Sequence, residues 1–160
     1  MFLASTTQNP KLGTVADSAI TDNVWVTRTY SYLAPTTTNL TLTFVFQNDN
    51  KHDWYFDNAS VVDSSSTEKL TNGNFESSST LTGWSASVAG SCSSYGVTTT
   101  GYYIGVRAFY TSCESKLVTL SQSFSAIDGQ VYNITFWFYR YQTGPGGGSG
   151  TNQIDIYMYQ

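Results

Sequence analysis

Strict alternation is the feature that most limits what this chain can become. In NLTLTFVFQ, residues 39–47, Leu40, Leu42, Phe44 and Phe46 fall on one face, and Thr41, Thr43, Val45 and Gln47 on the other. In VYNITFWFYR, residues 131–140, Tyr132, Ile134, Phe136 and Phe138 oppose Asn133, Thr135, Trp137 and Tyr139. In QIDIYMYQ, residues 153–160, Ile154, Ile156 and Met158 oppose Asp155, Tyr157 and Tyr159. Side chains leave a strand alternately to its two faces, so this period predicts sheets with one face in a core. Helical periodicity is almost missing. Further strands are predicted at 25–33, 54–62, 101–107 and 117–124. Turn chemistry separates them at Pro35-Thr-Thr, Asn48-Asp-Asn, Asp128-Gly and the glycine run 144–150. Many short strands joined by polar turns predict an all-β sandwich or jelly roll.

Composition agrees. Aromatic residues make up 16% of the 160 positions and charged residues only 11%. β-Branched and aromatic side chains suit pleated surfaces. The net charge is −4, and the seven Lys and Arg are scattered. Binding to a phosphate backbone needs clustered cations, so nucleic acid is excluded as a partner. No apolar run approaches the roughly 20 residues of a spanning helix, which argues against membrane insertion. Met1-Phe2-Leu3-Ala4 is too short for a signal peptide, so any secretion signal was removed or lay upstream.

Cys92 and Cys113 flank what reads as two strands and a turn. They form either a disulfide, the favoured reading, or two buried thiols in a reducing compartment. Asn39-Leu-Thr, Asn58-Ala-Ser and Asn133-Ile-Thr are glycosylation sequons. No catalytic constellation stands out. His52, the lone histidine, sits beside Asp49 and Asp53 and reads as a surface-turn residue. No Gly-x-Ser-x-Gly elbow supports a nucleophile, and no two carboxylates are brought to a glycosidase separation. The chain is therefore expected not to be an enzyme. The glycine run opens no helix and reads as a hairpin loop able to fold over a ligand.

The outer faces of the alternating strands are unusual. Trp137, Tyr139, Tyr157 and Tyr159 stand there with Gln47, Asn133 and Asp155. Flat rings stack on the C–H faces of sugars, and amides and carboxylates bond hydroxyls. A ligand platform is one reading; packing under a loop or a second sheet is the other.

LTNGNFESSSTLTGW, residues 70–84, resembles the opening motif of carbohydrate-binding modules with the galactose-binding-like jelly-roll fold. LSQSFSAIDGQVYNITFWFY, residues 120–139, resembles their middle segment. VWVTRTYSYLAPTTTNLTLTFVFQ, residues 24–47, resembles a late segment, and WYFDNASVV, residues 54–62, the closing strand. These stretches cover most of the chain, but in swapped order: late and closing segments within 1–63, opening and middle segments within 70–160. The resemblance therefore implies one β-sandwich domain over 1–160, either circularly permuted or cut mid-repeat from a tandem array. Residues 64–69 would be the inter-repeat linker. Met158-Tyr159 echoing Met1-Phe2 hints at the array. The two pieces either close on each other, the favoured reading, or exchange between chains by domain swapping.

The resemblance implies non-catalytic glycan binding by an extracellular or cell-surface module. On the concave sheet face, Trp137, Tyr139, Tyr157, Gln47 and Asn133 are the candidates. Tyr102, Tyr103, Arg107 and Tyr110 are the edge-loop alternative. It also implies a structural calcium held by Glu76 and Asp57, or else carboxylates that only accept backbone N–H bonds. A rival reading is a structural or adhesive repeat that assembles by strand exchange and has no sugar site.

Overall fold

The computed structural model describes residues 10–16 and 20–160. Met1-Phe2, and with it the proposed echo of Met158-Tyr159, lies outside them. Among the described residues, ten strands follow in chain order: β1 (Lys11–Ala16), β2 (Trp25–Leu33), β3 (Thr38–Gln47), β4 (His52–Val62), β5 (Ser85–Val88), β6 (Tyr95–Thr98), β7 (Ala108–Thr111), β8 (Leu117–Ala126), β9 (Val131–Gln142) and β10 (Gln153–Tyr159). They form two five-stranded antiparallel sheets, ordered β1-β10-β3-β8-β5 (sheet A) and β2-β9-β4-β7-β6 (sheet B). The all-β sandwich is as expected.

Both sheets are assembled by one rule. β1–β4 lie in the first 63 residues, yet none of these strands pairs with another; in each sheet a strand of the second segment stands between them. Among the described residues the first segment therefore has no sheet of its own, and its strand ladders are made with the second. The inward side chains of both segments meet in one core, in which Leu42, Phe44, Phe136 and Ile156 share a cluster. Rings dominate it: Phe44 lies 4.5 Å from Phe56 and 4.9 Å from Phe136, centroid to centroid. Offset and edge contacts of this kind add about 0.5–1.5 kcal/mol each to the burial term.

The opening and closing segments join directly. Ala59 N–H donates to the Gly73 carbonyl at 2.9 Å. A Cβ at Gly73 would lie 1.8 Å from the Ala59 carbonyl oxygen, so only glycine fits there. Phe75 and Trp84 enter the core, and the Trp84 indole N–H donates to the Asn72 carbonyl. Gln122 accepts from Thr71 N–H and donates to the Thr71 carbonyl, fixing the segment to β8.

Residues 64–69 are not a free tether. Asp63 accepts from Ser65 and Thr67 N–H and pairs with Lys69 at 2.7 Å. Glu68 then bonds Val61 N–H and the Ser60 hydroxyl, turning the chain back along β4. The two ends of the fold also meet: β1 pairs with β10, and Met158 N–H donates to the Pro10 carbonyl at 2.7 Å.

One expected strand is absent. Residues 101–107 form the loop between β6 and β7, not a strand. Gly101 and Gly105 hold positive φ (64° and 86°), and the neighbouring N–H groups bond carboxylates instead of a ladder partner. The Cys92–Cys113 disulfide is formed and closes the base of this hairpin.

Candidate functional site

β9 runs through the outer face of sheet B between β2 and β4, and its outward residues gather rings from both. Tyr139 pairs across with Trp25 on one side and Tyr55 on the other, with centroid distances of 5.5 and 5.8 Å. Tyr141 lies 6.4 Å from Tyr55, and Tyr110 of β7 lies 5.6 Å from it. The β6–β7 loop adds Tyr103, stacked on Trp137 at 3.9 Å and 5.5 Å from Trp25. The result is a continuous field of half-buried rings, with Tyr141 more open at 43% exposure.

Polar groups interrupt the field. Asp53, paired across from Tyr141, is half-buried, and loss of solvent pushes its carboxyl above the usual range. Burial likewise raises the Tyr55 and Tyr139 phenols, which keeps them neutral donors. The Tyr139 hydroxyl donates to Asn23 Oδ1 at 3.3 Å. The face thus sets flat apolar rings beside hydroxyls and a carboxylate.

The fold divides the five concave-face candidates. Trp137, Tyr139 and Asn133 are on sheet B, whereas Tyr157 and Gln47 are on sheet A. The two sets face outward on opposite sides of the sandwich, so no single ligand platform contains all five. Sheet membership depends on which strands pair, and alternation within one strand carries no record of it. Asn133 stands four residues from Trp137, roughly 13 Å along the strand, with its Oδ1 accepting from the Ser31 hydroxyl. Trp137 itself has a ring face covered by Tyr103. On sheet A, Tyr157 stacks with Tyr159 at 5.5 Å. Beside them Asp155 accepts from Thr14 and pairs with Lys11 at 2.9 Å. Burial pushes the Asp155 carboxyl up, but these bonds and the Lys11 charge more than reverse it, leaving it below the usual range.

Edge-loop and face candidates merge in part. Tyr103 and Tyr110 join the ring field, Tyr102 is exposed, and Arg107 turns to Glu76. Trp25, Tyr55, Tyr141 and Asp53 are members that sequence reading missed. Trp25 and Tyr55 do carry a signal, since each falls at an outward position of an expected strand.

Asp57 and Glu76 hold the 101–107 loop from two sides. Asp57 Oδ2 accepts from Tyr103 and Ile104 N–H, and Oδ1 from Asn58 N–H. Glu76 Oε1 accepts from Val106 and Arg107 N–H at 2.8 Å each. Asp57 is fully buried. Desolvation, with the Glu76 charge adding to it, raises its carboxyl to about 6 against the pull of the three N–H donors. Calcium requires six to eight oxygens. Here three of the four carboxylate oxygens are turned onto N–H donors, and no group of three His, Cys, Asp or Glu gathers among the described residues. This arrangement is a carboxylate clamp on a loop and does not fit a calcium shell, so no metal is assigned to it.

His52 is buried, not a surface-turn residue. Its Nδ1 lies 2.8 Å from Asp49, and its Nε2 3.5 Å from Asp22, which also bonds Arg140. No serine is among the ring's partners in the described residues. The glycine run lies over this network. A Cβ on Gly148 would sit 2.0 Å from Asp49 Oδ2, and Ser149 N–H donates to Asn50 Oδ1. The run thus covers buried charge at one end of the sandwich.

No protein-family model, curated protein or solved structure matches the chain.

Proposed function

We propose that this chain is a non-catalytic carbohydrate-binding module whose site is the outer face of sheet B. The ring field around Tyr139 carries the reading: Trp25, Tyr55, Tyr103 and Tyr141 surround it with usable faces, and Asp53 supplies a carboxylate for hydroxyls. Affinity is modest, because a few stacking contacts must offset the desolvation of sugar hydroxyls. The disulfide fits an extracellular setting.

The test is a glycan array backed by affinity gels. Wild type is retained on at least one polysaccharide, Tyr139→Ala and Tyr55→Ala lose retention, and Tyr157→Ala, on the opposite sheet, keeps it. Absence of retention on every polysaccharide would sink the proposal.

We further propose that the strands follow the galactose-binding-like jelly roll in permuted order. The Ala59–Gly73 bond and the meeting of Pro10 with Met158 support this. A chain opened within 64–67, with Gln160 joined to Met1, then folds with the same circular dichroism. The rival, an adhesive repeat exchanging strands between chains, draws support from the first segment's lack of internal strand pairs. It predicts concentration-dependent dimers in light scattering, whereas closure within one chain predicts a monomer.

A further inference from the structure

The outer face of sheet A poses a different question. Across β3, β8 and β5 it presents Asn39, Thr41, Thr43, Val45 and Gln47, then Leu117, Thr119, Ser121, Ser123 and Ser125, then Ser85 and Ser87. None of these side chains is charged. Solvated faces of soluble proteins ordinarily mix both signs of charge, which keeps them apart. Asn39 begins Asn39-Leu40-Thr41. Leu40 is fully buried, so the strand turns the Asn39 amide outward, where it is exposed. Its Oδ1 accepts from the Ser125 hydroxyl at 2.9 Å, fixing the amide plane and directing Nδ2 away from β8.

A second observation comes from β10. Tyr159 pairs across from Thr41 and is 42% exposed. It is thereby the diagonal neighbour of Asn39, at roughly 7–8 Å. The Tyr159 ring is itself braced by Tyr157.

We propose that Asn39 carries an N-linked oligosaccharide whose first sugar rests on Tyr159, with the sugar chain covering the uncharged β3–β8–β5 part of the outer face of sheet A. In the transfer, Asn39 Nδ2 displaces diphosphate from C1 of a polyprenyl-diphosphate oligosaccharide. The C1–Nδ2 bond forms, the C1–O bond breaks, the amide loses one proton, and the lipid diphosphate leaves with the bonding pair. This chemistry belongs to an oxidising secretory compartment, which the Cys92–Cys113 bridge also fits. The other two sequons are placed less favourably. Asn58 is half-buried at φ 50° in the β4 bulge, and Asn133 shares the face of the ring field.

The experiment expresses the full chain through a eukaryotic secretory pathway and maps Asn39 by mass spectrometry after enzymatic removal of N-glycans. The Asn39 peptide is expected to convert to Asp at high occupancy. Thr41→Ser keeps the modification and Thr41→Val abolishes it, both leaving the strand intact. Secreted, disulfide-bonded protein with unmodified Asn39 overturns the proposal. Deglycosylation is expected to lower the melting temperature of wild type and to leave Tyr159→Ala unmoved. An equal drop in both would overturn the seat on Tyr159. Neither readout depends on sugar binding by sheet B.

Discussion

Tyr103 lies face to face with Trp137, centroids 3.9 Å apart and planes 15° from parallel. The indole that sequence reading picked as the stacking ring is therefore the support for another ring. Tyr103→Ala uncovers it. The expected result is a red-shifted tryptophan emission, a stability loss of about 1 kcal/mol and weaker glycan retention. Unchanged emission would mean that the stack does not exist in solution.

The buried Asp57 makes stability depend on pH in an unusual direction. Its folded pKa of about 6 exceeds the ordinary aspartate value of 3.8. The folded state therefore binds a proton that the unfolded chain releases. The stability gained by protonation is fully present below 3.8 and is lost as pH rises through 6. Asp63, bonded by Lys69, and Asp155 have lowered values and work the other way in more acidic solution. Urea midpoints should rise as pH falls from 7 towards 5, and Asp57→Asn should flatten that slope. A wild-type midpoint flat across this window would contradict the clamp as described.

The same clamp holds its loop with backbone N–H donors. A chelator should leave the melting temperature unchanged. A fall of several degrees, restored by calcium, would require the carboxylates to turn away from Val106, Arg107, Tyr103 and Ile104 and take an ion instead.

The glycine run can be tested by neighbours of contrasting environment. Gly148→Ala places a methyl against Asp49, and Gly147→Ala meets nothing within 4 Å. The first should cost about 1–3 kcal/mol, with the second near neutral. Equal midpoints in thermal melts would mean that the run does not seat on Asp49.

The strands that alternate over long runs were legible. Leu40 to Phe46 and Tyr132 to Phe138 give their inward faces directly. β5 was not legible, because four residues are too few to show a period and it sits at a sheet edge; the β6–β7 hairpin was read as two strands and a turn between Cys92 and Cys113, without correct bounds. Residues 101–107 read as a strand. Gly101 and Gly105 decided otherwise, together with acceptors 46 and 30 positions back in the chain at their nearest. Those separations explain the site too: Tyr139 and Tyr157 look alike in sequence, and only the pairing of β9 with β4 and of β10 with β3 sends them to opposite sides. His52 was misread because Asn, Asp and Lys surround it locally, while Arg140 and Asp22 come from far away.

The pairing of β1 with β10 has a mechanical corollary. Lys11 lies across from Tyr157, so the start of β1 and the end of β10 lie side by side at one corner. Tension applied through them would load the ladder one rung at a time, opening it like a zip fastener instead of shearing all its bonds together. Held by those two points, the sandwich would yield at its β1 margin under small forces while the ring-filled interior stayed closed.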